Sequence, residues 1–187
     1  MSRRAASFVL GLALALLLGA GLWWWTSSRP GRRAAGTAAE VPAQPGEKVS
    51  FNLYFPSEVG LRAEARELEV PPAPRERIRR IVAALLAGPK TPGLGRPFPE
   101  GVVPGPVMLA ADGTCWVDLR WDGHDTPPAG GSTEEIQRVY SVVNSVVLNV
   151  PQASRVVLLW NGIQRETFSG HLDLSRPLTP DRELASR

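Results

Sequence analysis

The feature that most constrains this chain is an apolar run from Ala5 to Trp25 in which Ser7 is the only polar residue. At the rise of an α-helix such a run reaches roughly 30 Å, the thickness of a bilayer's hydrocarbon core. Arg3 and Arg4 precede it, and Trp23, Trp24 and Trp25 end it, where amphipathic rings settle at a membrane–water interface. A cleavable signal peptide has a shorter apolar stretch followed by small residues. Bulky tryptophans hold that place here, and no Cys follows to carry a lipid. The expectation is therefore an uncleaved transmembrane signal-anchor over residues 5–25 behind a short head, residues 1–4. A short head of this kind stays inside and sends the C-terminal domain out, giving a single-pass topology.

Beyond the run, residues 26–47 shift to Ala, Gly, Pro, Ser, Thr and Arg with no periodic pattern. This reads as a flexible linker with a root-mean-square reach of about 25 Å. Charge matters at this point. The sequence pI near 9.6 invites a nucleic-acid reading, and the formal net charge is +3. All of that excess lies in residues 1–47, which hold Arg3, Arg4, Arg29, Arg32 and Arg33 against Glu40 and Glu47. The rest of the chain is neutral, so it cannot release many phosphate counterions, and nucleic acid is excluded as a partner. The single Cys115 excludes an intramolecular disulfide and any Cys-built metal site.

The remaining residues read as one α+β domain, 48–178, with residues 179–187 as a disordered tail. Val49, Phe51, Leu53 and Phe55 alternate with polar residues as in a half-buried strand. Arg62–Val70 follows the turn at Ser57–Gly60 as an edge strand. Ile78, Ile81, Val82, Leu85 and Leu86 recur at helical spacing until Gly88-Pro89 stops them. Asp112-Gly113 lies between two apolar runs, Val107–Ala111 and Cys115–Arg120, which is a strong hairpin signal. Ser132 with Glu135 fits a capping box, opening a second helix with the stripe Ile136, Val139, Tyr140, Val143 and Val147. Asn161-Gly162 between Arg155–Trp160 and Ile163–Phe168 predicts a second hairpin. Strand pairs joined by short turns favour α+β over a doubly wound sheet. The expected architecture is one small mixed or antiparallel sheet with both helices packed on one face.

Chemistry is sparse. Asp118, Asp122, His124 and Asp125 carry the right groups for a hard divalent cation, but their spacing matches neither an EF-hand loop nor a zinc signature. A solvated loop explains them as well. His171 with Ser169 or Cys115 would be a nucleophile–base pair, yet nothing in the sequence orients the base. Gly93-Leu94-Gly95 lacks the third glycine and the context of a dinucleotide loop. Trp116, Trp121 and Trp160 are either core residues or the lining of a sugar cleft. No catalytic residue, cofactor-binding residue or metal ligand is assigned.

An ordered set of segments resembles the GerMN domain, named for sporulation and spore germination proteins. These are Val49–Phe55; Leu85-Leu86-Ala87-Gly88-Pro89; Pro99-Glu100-Gly101; Val117-Asp118-Leu119; the helix with Tyr140, Val143 and Asn144; Val156–Gly162; and Gly170-His171. The residues carried by the resemblance are Leu86, Gly88, Pro89, Pro99, Gly101, Val117, Asp118, Leu119, Asn144, Gly162, Gly170 and His171, with a structural or interaction role. The resemblance implies an extracytoplasmic α+β domain similar to the ring-building motifs of secretion-type assemblies. It implies a non-enzymatic module acting through protein contacts in a bacterial envelope, with an envelope protein or a second copy as partner. On that reading residues 5–25 sit in the bacterial inner membrane. This chain has one copy where some members have two, and an apolar anchor where some have a lipoprotein Cys. The competing expectation is an envelope ligand-binding or hydrolytic domain acting on peptidoglycan or another glycan.

Overall fold

The computed structural model of the chain describes residues 47–185. By its internal contacts the chain divides into Met1–Ala43 and Gln44–Arg187, and every described residue lies in the second unit. The anticipated span over residues 5–25 and most of the linker fall outside the described residues. Among those described, no helix is long and apolar enough to cross a membrane.

The chain starts with an antiparallel hairpin of β1 (Glu47–Pro56) and β2 (Leu61–Val70), closed by a hydrogen bond from Ser57 N–H to the Gly60 carbonyl. The alternation read in the sequence is observed: Phe51, Leu53 and Phe55 are buried while Ser50 and Asn52 are exposed. Helix α1 (Pro74–Leu86) follows, with proline in its first turn, where the missing N–H costs nothing. Its buried residues are the five expected from the spacing, Ile78, Ile81, Val82, Leu85 and Leu86. It ends at Gly88, whose φ of +91° is the left-handed conformation that favours glycine. Arg96 satisfies the orphan carbonyls of that end, donating Nη1 to Ala87 and Nη2 to Leu86.

Strands β3 (Val103–Leu109) and β4 (Thr114–Arg120) form the Asp-Gly hairpin, with a register shift between Pro104 and Val107. Helix α2 (Ser132–Val147) then crosses over to β5 (Arg155–Trp160), which pairs with β4 in parallel. The α+β class holds, but the strands divide into two sheets where one was expected: β1-β2, and β3-β4-β5. The sheets stay separate because the free edge of β1 is covered by side chains. Tyr54 N–H donates to Ser145 Oγ (2.9 Å) and Asn52 N–H to Asn149 Oδ1 (3.0 Å), while Asn149 Nδ2 donates back to the Asn52 carbonyl (2.8 Å). Polar groups on and just beyond α2 thus take the place of a neighbouring strand.

Four other expectations change. The stripe assigned to α2 is too narrow: its core residues are Val139, Val142, Val143 and Val146, with Ile136, Tyr140 and Val147 only half-buried. The helix is enclosed on more than one side, so polar Glu135, Ser141, Asn144 and Ser145 are fully buried as well. The capping box does not form. Gly131 holds the N-cap position without a side-chain hydrogen bond, and Glu135 is engaged elsewhere. The second hairpin stops after a single bridge, Trp160 to Ile163. Residues beyond it give their N–H groups to Glu135 and so cannot extend a ladder. Finally, residues 179–185 are not a loose tail: Asn144 brackets the backbone of Asp181 (2.7 and 3.0 Å), and Leu61 N–H donates to the Leu184 carbonyl (2.8 Å).

Candidate functional site

Glu135 lies in the first turn of α2 with no solvent exposure. A buried carboxylate needs donors, and the turn at Thr167–His171 supplies them. Oε1 accepts from Thr167 Oγ1 (2.7 Å), Phe168 N–H (2.8 Å) and Ser169 N–H (2.9 Å). Oε2 accepts from His171 N–H (2.9 Å) and lies 3.1 Å from His171 Nδ1. The turn closes on itself through Gly170, at φ +93°, whose N–H donates to Thr167 Oγ1. Burial works to raise the carboxyl's pKa, but these hydrogen bonds outweigh it and hold it at about 2. A carboxylate so stabilised is a poor proton acceptor and serves as an anchor for the loop. Neither of the nucleophiles weighed from the sequence gives its side chain to it. Ser169 Oγ donates to the Pro128 carbonyl (3.3 Å), and Cys115 is wholly buried, its thiol pushed up to about 12 by desolvation.

The acidic loop does not assemble either. Asp118 is buried, taking Gly162 N–H on Oδ1 (2.7 Å) and Arg120 Nε on Oδ2 (2.8 Å). His124 stacks on Trp121 at 3.5 Å between centroids, and its carbonyl accepts from Trp160 Nε1 and Asn161 Nδ2. The Asp125 carbonyl accepts from Arg165. Among the described residues no group of three or more His, Cys, Asp or Glu is placed to hold a metal ion. Trp160 has no exposure and packs with Phe98 and Phe168, so it has no face to offer a sugar.

The motif residues fall into separate places. Leu86, Gly88 and Pro89 form the end of α1, where Arg66 Nη2 donates to the Gly88 carbonyl. Pro99 and Gly101 lead into β3, and Gly101 (φ +92°) lies against Trp121. Val117 and Leu119 are core, and Asp118 between them fixes Gly162 across the sheet. Asn144 ties α2 to Asp181, while Gly170 and His171 belong to the Glu135 turn. Sequence reasoning missed three residues. Glu64 and Arg66 form a buried ion pair on β2, and Glu64 Oε2 also accepts from Lys90 and Thr91 N–H. Arg138, nearly buried, donates to the Pro97 and Pro128 carbonyls. The only signal was charge inside an otherwise alternating strand and on a helix face adjoining an apolar one.

One edge of the β1-β2 sheet has no neighbouring strand among the described residues. The pairing of β1 with β2 sets Asn52 opposite Ala65 and Tyr54 opposite Ala63. Asn52 and Tyr54 direct their N–H groups away from β2, so Ala63 and Ala65, and likewise Glu67 and Glu69, direct theirs away from β1. On that outer side Leu61 pairs with Leu184, and among the described residues the stretch from Ala63 to Glu69 runs on as an unpaired edge. Ala63, Ala65, Glu67 and Glu69 are exposed.

The family profile described as "Germane: Sporulation and spore germination" matches residues 52–166, more than half of the chain. The chain belongs to the Germane family. Solved structures share its fold. The tandem GerMN domains of the sporulation protein GerM from Bacillus subtilis align at 18% identity with a TM-score of 0.57, over 71% of this chain and 46% of that one. A chain from Clostridium perfringens, described as a candidate lipoprotein, aligns at 17% identity with a TM-score of 0.51, over 71% of this chain and 87% of that one. At these identities the likeness is one of fold. This Germane chain thus spans about half of the tandem protein. No curated protein matches it in sequence.

Proposed function

We propose that this Germane-family protein is a non-enzymatic, membrane-tethered module that assembles with another protein in the bacterial envelope, in a sporulation- or germination-related role. The observation that carries this reading is the open edge of β2. The stretch from Ala63 to Glu69, with no backbone partner on its outer side among the described residues, is suited to accept an extended segment from a partner by strand addition. The small side chains of Ala63 and Ala65 leave the backbone accessible, while Glu67 and Glu69 discourage indiscriminate pairing. The buried carboxylates support a role without catalysis, because Glu64, Asp118 and Glu135 are each consumed by internal donors. The apolar run 5–25 and the lipoprotein description of the Clostridium perfringens neighbour support the tether, and the sporulation protein GerM supports the sporulation-related role.

Photocrosslinking from position 67 in native membranes tests the edge. The expected result is a discrete adduct that Ala65→Pro abolishes, since proline there removes an outward N–H without breaking a bond to β1. Recovery of only the uncrosslinked chain would overturn the reading. The tether is tested separately: the full chain should resist alkaline extraction, and protease added outside the membrane should digest the C-terminal domain.

A further inference from the structure

The concave surface between α1 and β3 has a composition that strand pairing does not explain. An open cavity of about 510 Å³ is lined by Arg75, Glu76 and Arg79 of α1, Pro104–Val107 of β3, and Arg120 of β4. Arg75 and Arg79 lie four residues apart, hence on one face of the helix. Arg75 makes no hydrogen bond or ion pair among the described residues, and Arg79 has only a loose 3.8 Å contact with Glu76, both side chains being half exposed. Arg120 comes from the other wall and is held in place. Buried Asp118, itself fixed by Gly162 N–H, takes its Nε and leaves the N–H donors of its two terminal nitrogens without a hydrogen bond among the described residues.

The wall is built to let this happen. A Cβ at Gly105 would stand 2.6 Å from Asp118 Oδ2 and 2.9 Å from Arg120 Nε, so only glycine admits the pair beneath the strand. Pro104 and Pro106 flank it, and the register shift between Pro104 and Val107 bows β3 at that point. The result is three guanidinium groups from two elements converging on one cavity, with Asp118 already engaged and Glu76 as the one opposing carboxylate.

We propose that this cavity binds a phosphate group, as a mono- or diester, through Arg75, Arg79 and Arg120. Guanidinium forks match tetrahedral oxyanions, and three of them around a space of this size exceed what packing requires. The binding is separate from strand addition at β2 and does not depend on it.

The test uses the full chain in a non-ionic detergent. Titration calorimetry with inorganic phosphate and with glycerol phosphate should give saturable binding. Loss of each charge-assisted contact weakens it about tenfold, so Arg75→Gln with Arg79→Gln should weaken it about a hundredfold. Glu76→Gln should strengthen binding a few-fold, and Arg80→Gln, on the same helix but outside the cavity, should leave it unchanged. The opposite signs at neighbouring positions separate a site from general charge attraction. Mixed micelles containing phosphatidylglycerol or phosphatidylcholine then identify the source. Arginine-dependent binding to either headgroup assigns a lipid phosphate, and binding to the soluble phosphates alone assigns a small phosphorylated molecule. The proposal is overturned if no ligand saturates, or if Arg75→Gln/Arg79→Gln and Arg80→Gln change binding equally.

Discussion

Replacing Glu135 by Gln should expose how much one buried carboxylate holds in place. The side chain has no exposure and receives four hydrogen bonds at 2.7–2.9 Å, three of them from backbone N–H groups of a single loop. A carboxyl that ionises at about 2 instead of the usual 4.5 contributes about 3 kcal/mol to the folded state at neutral pH. Because the folded pKa lies below the unfolded one, this stability is fully present above pH 4.5 and is lost as pH falls toward 2. Glutamine keeps the shape but turns one acceptor into a donor facing His171 N–H. Urea unfolding of residues 44–187, followed by circular dichroism, should show Glu135→Gln less stable by about 3 kcal/mol at pH 7, a midpoint lower by about 1.5 M. Near pH 2 the difference should shrink below about 1 kcal/mol. The reasoning is refuted if the variant matches the parent at pH 7, or if the gap stays constant across the acid range.

Three further outcomes follow from the same physics. Arg66→Met strands Glu64 in a buried place and should cost about 3 kcal/mol, much of it recovered in the double variant with Glu64→Gln; a coupling near zero in the double-mutant cycle would contradict the pair. Gly105→Ala forces a methyl against Asp118 Oδ2 and should lower the melting temperature by roughly 3–9 °C, readable by calorimetry. Cys115, buried and with its thiol pushed up to about 12, should remain unlabelled by iodoacetamide at pH 8 in the folded protein and react fully in urea; labelling of the native chain at the unfolded rate would be inconsistent with its placement.

What the sequence made legible depended on how many partners an element has. Helix α1 and strand β1 each bury one face, and the spacing of Ile78, Ile81, Val82 and Leu85, or of Phe51, Leu53 and Phe55, marks that face directly. Helix α2 is packed on several sides, so its stripe understated its burial, and Ser145 and Asn144 lie outside that stripe while acting as internal partners. Ser132 and Glu135 match a local capping pattern, but a loop some thirty residues on offers the carboxylate more donors. The same competition ended the hairpin after Ile163. Local rules failed where a long-range hydrogen-bond network outweighed them. For the site, motif residues such as Asp118 and His171 were visible as sequence, but the pairings that explain their positions, with Gly162 and Glu135, span 44 and 36 residues of chain.

The two edges of the β1-β2 sheet differ in a way that sets a limit. With β1 covered at Asn52 and Tyr54 by Asn149 and Ser145, β2 offers the longer open edge, so on the proposed reading this sheet has a valency of one. On the proposed reading, two copies meeting there would close a dimer whose outer edges are both β1, leaving no fresh edge for the next chain. Pairing between copies at this sheet would then be self-terminating, and a larger assembly of copies would grow through a different surface.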